Sequence, residues 1–376
     1  MRDAQQTSDE HDTITQRGGA GLRRGWTTGA CATAAAKAAF EALLGGGFPD
    51  PVTIRLPRGL RADFALAEQD LAGDSATASV IKDAGDDPDV THGARIRCTV
   101  VWGPAGSGVR FAAGEGVGTV TLPGLPVPPG EPAINPRPRE MIEGALREVA
   151  GEYGVPADVC VTVTIPGGEE LATKTANPRL GIVGGLSVLG TTGVVIPYSC
   201  ASWVHSIHRA VDVARATGVG HIAGSTGRTS EASVAKFHGL GERALIDMGD
   251  FAGALLKYVR AHPLPRLTVA GGFGKLSKLA EGEMDLHSSR SSVDISALAA
   301  GLEKAGGAPA EVEAARAASS AAAVLQIAAA ARLESALSHD IARSAREVCR
   351  AALAGASDVD VLVVTRDGRV LAHADV

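Results

Sequence analysis

Residues 219–239, VGHIAGSTGRTSEASVAKFHG, decide the fold class of the second part of the chain. A short apolar run leads into a Gly-rich loop, and a helical stretch follows over Ser230–Gly239. The same kind of apolar run recurs in GIVGGLSVLGTTG (181–193), ALIDMGD (244–250) and RLTVAGGFGK (266–275). Apolar strands that alternate with helices are typical of a parallel sheet with helices on its faces. We therefore predict a Rossmann-like α/β domain with a mainly parallel sheet over residues 181–376.

The end of this domain has a different pattern. Two Ala-rich stretches predict helices over Ala310–Ala331 and Ser335–Ala354, and Gly355 is a typical residue just past a helix end. The last residues, VDVLVVTRDGRVLAHA, predict a strand, an Asp-Gly turn and a short return strand. The domain should therefore close with an antiparallel hairpin.

The first part of the chain is predicted to be an α+β domain over residues 21–180. Helices are expected over Ala30–Leu44 and, after a Pro-rich loop, over Arg139–Tyr153. Short β-like runs, separated by Gly, Pro and Asp turns, occur at Val52–Leu56, Asp63–Ala67, Ala76–Ile81, Ala94–Val101, Val109–Ala113, Gly118–Leu122 and Val159–Ile165. Residues 1–20 are polar and are predicted to form a disordered tail.

Composition excludes several classes of protein. The formal net charge is −6 and aromatic residues make up 3%, which argues against nucleic-acid binding by a basic surface or by base stacking. The five cysteines show no metal-ligand spacing, so neither a structural metal nor a disulfide framework is predicted. No apolar run approaches a membrane span and no signal peptide is recognisable, so a cytoplasmic protein without a membrane partner is expected.

Several long segments, in this order and spacing, resemble the CbiD family, the cobalt-precorrin-5B C1-methyltransferases of the corrin pathway. They are RRGWTTGACATAAAKAAFEALL (23–44), VIKDAGDDPDVTHGA (80–94), GEGVGTVTLPGLPVPPGEPAINPRPREMI (114–142), GGEELATKTANPRLGIVGGLSVLGTTGVVIPYS (167–199) and GGFGKLSKLAEGEMDLHS (271–288). The resemblance implies methyl transfer from S-adenosylmethionine, as co-substrate, to ring carbon C1 of a cobalt-bearing tetrapyrrole. The implied products are cobalt-precorrin-6A and S-adenosylhomocysteine. Cobalt would belong to the small-molecule substrate only, and a homo-oligomer is compatible with the sequence.

Such a displacement needs no side-chain nucleophile, because the ring carbon attacks the methyl group itself. Holding the two reactants in line is the main catalytic task, worth up to roughly 7–11 kcal/mol. The tetrapyrrole carries acetate and propionate groups, so cations and backbone N–H groups are required. Arg24, beside Arg23, and the helix start at Thr27 and Thr28 are predicted to bind such a carboxylate. The alternative is that Thr28 only caps the helix; Cys31 is expected to be a buried small residue.

Further substrate ligands are suggested by the resemblance or by residue type. Lys82 is expected to bind a substrate carboxylate, and Asp83 to orient Lys82 or to act as a base; a plain surface loop is the alternative. Lys174 and Arg179 are candidate cations at the predicted domain junction, where a solvated hinge is the alternative. The remaining candidates are Lys275 and His287.

The methyl donor is predicted to bind in a Gly-rich loop after a parallel strand, because glycine lets the backbone approach a ligand closely. The candidates are Gly190, Thr191, Thr192 and Gly193 in one loop, Gly224, Thr226 and Gly227 in another, and Asp247 as a ligand for the ribose hydroxyls. None of these loops has the GxGxxG spacing of a dinucleotide site. For Asp247, helix capping is the alternative. Rival functions are a nicotinamide-dependent precorrin reductase and a non-catalytic tetrapyrrole carrier.

Overall fold

The computed structural model describes residues 21–375, and the chain forms two compact units, one ending at Ser199 and the other beginning at Cys200. The tail predicted over residues 1–20 lies outside the described residues. The boundary between the units lies after the predicted position, 180/181. The reason is that strands formed after Gly181 pair with strands of the first unit.

The first unit is mixed α/β. Its helices are α1 (Thr28–Leu43), α2 (Pro136–Tyr153) and α3 (Gly168–Ala172). Its strands are β1 (Gly25–Trp26), β2 (Val52–Arg55), β3 (Arg61–Phe64), β4 (Glu68–Ala72), β5 (Ser75–Ile81), β6 (Arg95–Trp102), β7 (Val109–Ala113), β8 (Gly116–Val117), β9 (Thr119–Val120), β10 (Val159–Thr164), β11 (Ile182–Val183), β12 (Gly185–Leu186) and β13 (Val194–Val195). Most of the predicted strands are confirmed, whereas β1, β4, β8 and β13 were not predicted.

The main sheet of the first unit has the order β4-β5-β6-β10-β7, antiparallel except for the β10–β7 pair. Alternate residues of β10 are buried, as expected for a sheet with one face on the core. That face packs on α1, whose alanines are buried along almost its whole length. Small side chains let α1 approach both the sheet and α2, and larger ones such as Leu146, fully buried, contribute roughly 1.5–3 kcal/mol each.

The apolar run 181–193 does not form a strand of the parallel sheet, which corrects the prediction. It forms β11 and β12, and these pair with β9 and β8 of the first unit. Gly184 and Gly185, with φ of +85° and +158°, interrupt the run. A Cβ on Gly185 would lie 2.3 Å from the backbone of Gly116, so only glycine permits this pairing.

The second unit is also mixed α/β. Its helices are α4 (Cys200–Ala216), α5 (Arg228–His238), α6 (Ala252–Ala261), α7 (Phe273–Ala280), α8 (Ile295–Lys304), α9 (Pro309–Arg316), α10 (Ala321–Ala330) and α11 (Glu334–Leu353). Its strands are β14 (His221–Ser225), β15 (Leu245–Asp247), β16 (Arg266–Gly272), β17 (Asp358–Val364) and β18 (Val370–Ala374). A mixed α/β fold with mixed sheets is therefore confirmed.

The sheet of the second unit has the order β15-β14-β16-β17-β18. The pairs among β15, β14, β16 and β17 are parallel, and β17 and β18 form the predicted antiparallel hairpin. The chain runs from β14 to its neighbour β15 and then crosses to β16 on the other side. A reversal of this kind opens a crevice at the carboxyl ends of the strands, where ligands of such sheets bind.

One helix prediction in this unit needs correction, and one helix was not predicted. The predicted helix 310–331 is broken into α9 and α10, because Ser320 caps a new helix start by accepting a hydrogen bond from the Ala323 N–H at 3.2 Å. Helix α8, capped by Asp294, was not predicted. None of the helices within residues 21–375 combines the length and the hydrophobicity that a membrane span requires.

Candidate functional site

In the first unit, separate sequence segments meet at the start of α1. Strand β1 pairs with β13, and the Trp26 N–H donates to the Asp83 carbonyl at 2.7 Å. The Thr27 N–H donates to the Gly193 carbonyl at 2.9 Å. The opening segment, the loop after β5 and the loop before β13 are thus held together by backbone hydrogen bonds, which brings many of the predicted site residues into one region.

The start of α1 is capped by its own chain. The Thr27 hydroxyl accepts from the Ala30 N–H at 3.2 Å, and the Gly29 N–H donates to the Leu189 carbonyl at 3.0 Å. Thr27 and Thr28 are 6% and 3% exposed. The helix cap is therefore Thr27 and not Thr28, and both threonines are buried within the protein. Carboxylate binding at this helix start stays a prediction.

Arg23 and Asp83 form an ion pair, with the Arg23 Nη2 and Asp83 Oδ1 atoms 3.0 Å apart. This hydrogen bond from Arg23 lowers the pKa of the Asp83 carboxyl and outweighs the opposing effect of burial. The backbone N–H of Arg23 also donates a hydrogen bond to Asp86 Oδ2 at 2.6 Å. Asp83 therefore orients Arg23, and the expectation that it orients Lys82 is wrong.

Lys82 is buried, with 1% of its surface exposed, and its Nζ donates to Asp89 Oδ2 at 2.7 Å. Burial is the largest single effect and opposes ionisation of Asp89, but the Lys82 ammonium and the hydrogen bonds from Thr91 together outweigh it, so the pKa of Asp89 is lowered. Thr91 also donates to Asp89, through its N–H and its hydroxyl. Lys82 is therefore an internal ion-pair partner, and a substrate carboxylate would have to compete with Asp89 for it.

A hollow of about 270 Å³ lies beside this region. Its wall is mostly apolar but includes two carboxylates, and it consists of Trp26, Asp63, Phe64, Ala65, Leu66, Ala67, Val80, Ile81 and Asp83. The Trp26 and Phe64 rings are 5.2 Å apart, and Ile81 is 46% exposed. Arg24 is exposed and has no ion-pair partner within residues 21–375. The apolar part of this wall suits a flat ring, and Arg24, two residues before Trp26, is a candidate partner for its carboxylates.

The loop 190–193 belongs to this region and not to the parallel sheet, contrary to prediction. A Cβ on Gly190 would lie 2.3 Å from Thr27 Oγ1, and one on Gly193 would lie 2.5 Å from the Leu56 side chain. Thr191 is exposed, whereas the Thr192 hydroxyl bonds to the backbone of Val194. The two glycines thus serve close packing.

The remaining predicted cations of the first unit are exposed or partly exposed. Lys174 Nζ is 4.0 Å from Glu170, and Arg179 is half-buried and engaged with other groups. Between them, Asn177 is buried and its Nδ2 donates to the Gly185 carbonyl at 3.3 Å, which fixes the segment to β12. Exposure leaves Lys174 accessible to a solute.

In the second unit, the other predicted ligands lie along the carboxyl ends of β14 and β15. Thr226 and Gly227 follow β14, and the exposed Asp247 is the last residue of β15. The Trp203 indole donates to the Asp247 carbonyl at 3.1 Å. Gly224, by contrast, lies inside β14, and a Cβ there would lie 2.2 Å from Leu255, so its role is packing.

Lys275 and His287 have partners within the second unit. The Lys275 ammonium pairs with Asp250 and donates to the Leu286 carbonyl at 3.1 Å, and Lys278, buried, donates to the same carbonyl at 3.0 Å. His287 is exposed; its Nδ1 atom is 2.7 Å from the Ser289 hydroxyl, and its N–H donates to Asp285 Oδ1 at 3.1 Å. Lys275 therefore tethers the segment before His287, and a substrate carboxylate would have to displace Asp250.

The chain was compared with protein families, curated proteins and solved structures. The family model described as CbiD matches residues 15–197, and the one described as CbiD, C-terminal domain, matches residues 285–375. This chain belongs to the CbiD family. The carboxyl ends of β14, β15 and β16 lie between the two matched segments.

Relatives of this CbiD chain carry one name. A protein of Bradyrhizobium sp. (strain BTAi1 / ATCC BAA-1182), named cobalt-precorrin-5B C(1)-methyltransferase, is 58% identical over 93% of this chain and 93% of its own length. The protein of that name from Paramagnetospirillum magneticum is 57% identical over 94% of this chain and 98% of its own length. A crystal structure described as cobalamin biosynthesis protein (cbiD) from Archaeoglobus fulgidus is 29% identical, covers 72% of this chain and 83% of that one, and has a TM-score of 0.40.

Sequence reasoning missed some residues of this CbiD chain that the structure places at the candidate regions. Trp26 and Phe64 line the hollow, and Trp203 lies against the loop after β15. With aromatic residues at only 3% of the chain, an aromatic next to a predicted site residue was a usable signal for Trp26. Phe64 and Trp203 are distant in sequence from the groups they approach, so only the fold reveals them.

Proposed function

We propose that this chain is a cobalt-precorrin-5B C(1)-methyltransferase of cobalamin biosynthesis. It would transfer a methyl group from S-adenosylmethionine to C1 of cobalt-precorrin-5B and release cobalt-precorrin-6A and S-adenosylhomocysteine. The observation that carries the proposal is the identity of 58% and 57% to relatives of that name over more than nine-tenths of both chains. In the displacement, the sulfur–methyl bond breaks with its electron pair left on sulfur, while the bond from C1 to the methyl carbon forms.

For the tetrapyrrole, the proposal uses the hollow of the first unit. The apolar surfaces of Trp26 and Ile81 would contact the ring, and Arg24 would bind a peripheral carboxylate. Arginine suits this task because its guanidinium forms paired hydrogen bonds with a carboxylate. Arg23, held by Asp83, and the exposed Lys174 are secondary candidates.

For S-adenosylmethionine, the proposal uses the carboxyl ends of β14 and β15, and the strand order supports classifying the second unit as Rossmann-like. The residues fit a ligand without phosphates. Asp247 offers an exposed carboxylate to ribose hydroxyls, and the Thr226 and Gly227 segment offers backbone groups at a helix start with no capping side chain. When bound, the sulfonium supplies the electrophilic methyl group; the residues named here bind and orient.

The reaction is tested directly with S-adenosylmethionine labelled in its methyl group. The purified chain, incubated with the donor and cobalt-precorrin-5B, is expected to move the label to the tetrapyrrole and to form one S-adenosylhomocysteine per methyl group. Loss of nicotinamide absorbance without label transfer would favour a precorrin reductase. Tetrapyrrole binding with neither reaction would favour a carrier.

The donor site is tested by Asp247→Asn. Loss of the ribose ligand is expected to raise KM for S-adenosylmethionine about tenfold or more and to leave KM for the tetrapyrrole unchanged, because a charge-assisted hydrogen bond contributes about 1.5–3 kcal/mol. Asp358→Asn, at the exposed amino end of β17 in the same sheet, is the matched control and should change neither value. Equal effects of the two variants would contradict the assignment of Asp247.

A further inference from the structure

Three histidines and a buried aspartate meet in the second unit, at the amino ends of its parallel strands. His221 is the first residue of β14, His238 is the last residue of α5, and His373 lies in β18. Asp360, in β17, is fully buried between them. The carboxyl ends of the strands, where the methyl donor is proposed to bind, are at the opposite end of the sheet.

The side chains converge on the two oxygens of one carboxylate. Asp360 Oδ2 is 3.0 Å from His238 Nε2 and 2.8 Å from His373 Nε2. Asp360 Oδ1 accepts from the Thr268 hydroxyl at 2.8 Å and from Arg266 Nε at 3.2 Å. Both His238 and His373 therefore direct an Nε2 atom at the same oxygen.

The hydrogen bonds fix where the protons lie in the third imidazole. His221 Nε2 is 2.7 Å from the Thr268 hydroxyl, and Thr268 gives its own proton to Asp360. His221 must then donate through Nε2. A divalent cation can take the place of the Nε2 protons of such a cluster, because a neutral imidazole binds a metal through the nitrogen that loses its hydrogen.

The spacing of the donor atoms suits a small cation. One ligand atom from each of His221, His238 and Asp360 lies within 4.8 Å of the other two, and the same holds for Asp360, His373 and Asp375. Zinc ligands at about 2.0–2.2 Å in a tetrahedral site are roughly 3.3 Å apart, so modest side-chain rotations would close the set. Imidazole donors suit divalent transition metals such as Zn²⁺, and the absence of thiolate disfavours soft ions such as Cu⁺.

Residues around the cluster hold the imidazole and carboxylate groups in position. The Phe237 ring lies 4.8 Å from the His238 ring and 4.9 Å from the His373 ring, which restricts their rotation. Thr268 orients both His221 and Asp360, as outer residues do in metal sites. The positive charge of Arg266 opposes the binding of a cation. The Asp375 carboxylate, 3.1 Å from Arg266, offsets part of that charge.

We propose that His221, His238 and Asp360, with His373 as the fourth ligand, form a binding site for a divalent transition metal of the zinc type. The ligands are far apart in sequence and follow no short motif, so a search for metal-ligand spacing along the chain does not find them. The site is independent of methyl transfer, so its test needs neither the tetrapyrrole nor the methyl donor.

The test is a titration of tag-free, chelator-stripped full-length chain with Co²⁺, followed by Zn²⁺. One equivalent of Co²⁺ is expected to bind with the intense visible absorption of tetrahedral coordination, and Zn²⁺ should displace it. His238→Gln and His373→Gln should each weaken binding at least tenfold. His339→Gln, an exposed histidine on α11, is the matched control and should bind like the unaltered protein.

An absence of stoichiometric uptake by the unaltered chain, or equal uptake by all three variants, would overturn the proposal. If the two cluster variants fail to fold, X-ray absorption of the zinc-loaded unaltered chain identifies the ligands of the bound metal instead. The zinc ion is expected to be coordinated by two or three imidazoles. Coordination by water and carboxylate oxygens alone would contradict the proposed site.

Discussion

At the scale of single residues, the ion pair of Lys82 and Asp89 is the strongest departure from what the sequence suggested. Lys82 is 1% exposed, and its ammonium is 2.7 Å from Asp89 Oδ2. Taking a charge out of water is costly, so a buried charge that loses its partner destabilises the fold strongly. Lys82 therefore contributes to the stability of the fold through Asp89, and a substrate carboxylate would have to displace Asp89 in order to bind it.

We predict that Lys82→Ala lowers the free energy of unfolding by about 2–5 kcal/mol, because it leaves a cavity where the buried Lys82 side chain packed and removes the ion-pair partner of Asp89. The double variant Lys82→Met/Asp89→Asn, which removes both charges, should recover most of the loss. Denaturant unfolding of the single and double variants measures both. An unchanged unfolding free energy for Lys82→Ala, together with a raised KM for the tetrapyrrole, would contradict the structural role and show that Lys82 binds the substrate.

The same pair predicts a pH dependence. The pKa of Asp89 is lowered in the folded chain, so its contribution to stability is present above the unfolded value, about 3.9, and is lost as pH falls through the folded value. The difference in unfolding free energy between the unaltered chain and Asp89→Asn should be constant between about pH 5 and 7. It should shrink below about pH 4. A difference that grows on acidification would contradict the ion pair.

Cys31, a thiol near the start of α1, is a candidate nucleophile by residue type, but its environment does not suit that role. It is fully buried, and burial raises the pKa of its thiol to about 12, so almost no thiolate exists at neutral pH. Cys31→Ala should keep most methyl-transfer activity, and the folded chain should resist alkylation at this position. Inactivation of a normally folded Cys31→Ala variant would show that the thiol takes part in catalysis.

At the scale of elements, the loop 189–193 docks on the start of α1. The carbonyls of Leu189 and Gly193 accept hydrogen bonds from Gly29 and Thr27. Gly190 has φ of +137° and faces the Thr27 side chain. The glycines that the sequence suggested as a ligand loop are therefore needed for a contact between two parts of the first unit.

This docking predicts different effects of two glycine substitutions. Gly190→Ala should destabilise the chain by roughly 2–4 kcal/mol, since it adds a steric clash with Thr27 to the strain of its backbone. Gly184→Ala is the matched control, with φ of +85° and no atom within 4 Å of the added Cβ, and should cost about 1–2 kcal/mol. Equal losses in denaturant unfolding would mean that the Gly190–Thr27 contact does not form.

Elements were predictable where local pattern decides structure. The strand at 266–272, the helix at 228–238 and the last hairpin follow from apolar runs and turn residues. The run 181–193 was misassigned because its apolar pattern does not reveal that Gly185 must approach Gly116. Likewise, charge type identified Lys82 but not its partner, because Asp83, Asp86, Asp87 and Asp89 are all nearby in sequence. The histidine cluster depends on strand order, which no local pattern contains.

At the scale of the whole molecule, the proposed chemistry requires binding and orientation more than reactive side chains. The described residues offer an apolar hollow with an exposed arginine in the first unit and an exposed carboxylate at the strand ends in the second. The buried thiol and the paired lysine are poor candidates for a covalent role. These features together favour direct transfer of the methyl group from sulfur to the ring carbon.

The stereochemistry of the methyl group tests direct transfer. S-adenosylmethionine whose methyl carbon carries the three hydrogen isotopes in one configuration is converted, and the configuration of the methyl group at C1 of the product is determined. A single displacement inverts that configuration, and inversion is the expected result. Retention would require two successive displacements through a methylated residue of the protein, and would contradict a mechanism based on alignment of the two reactants.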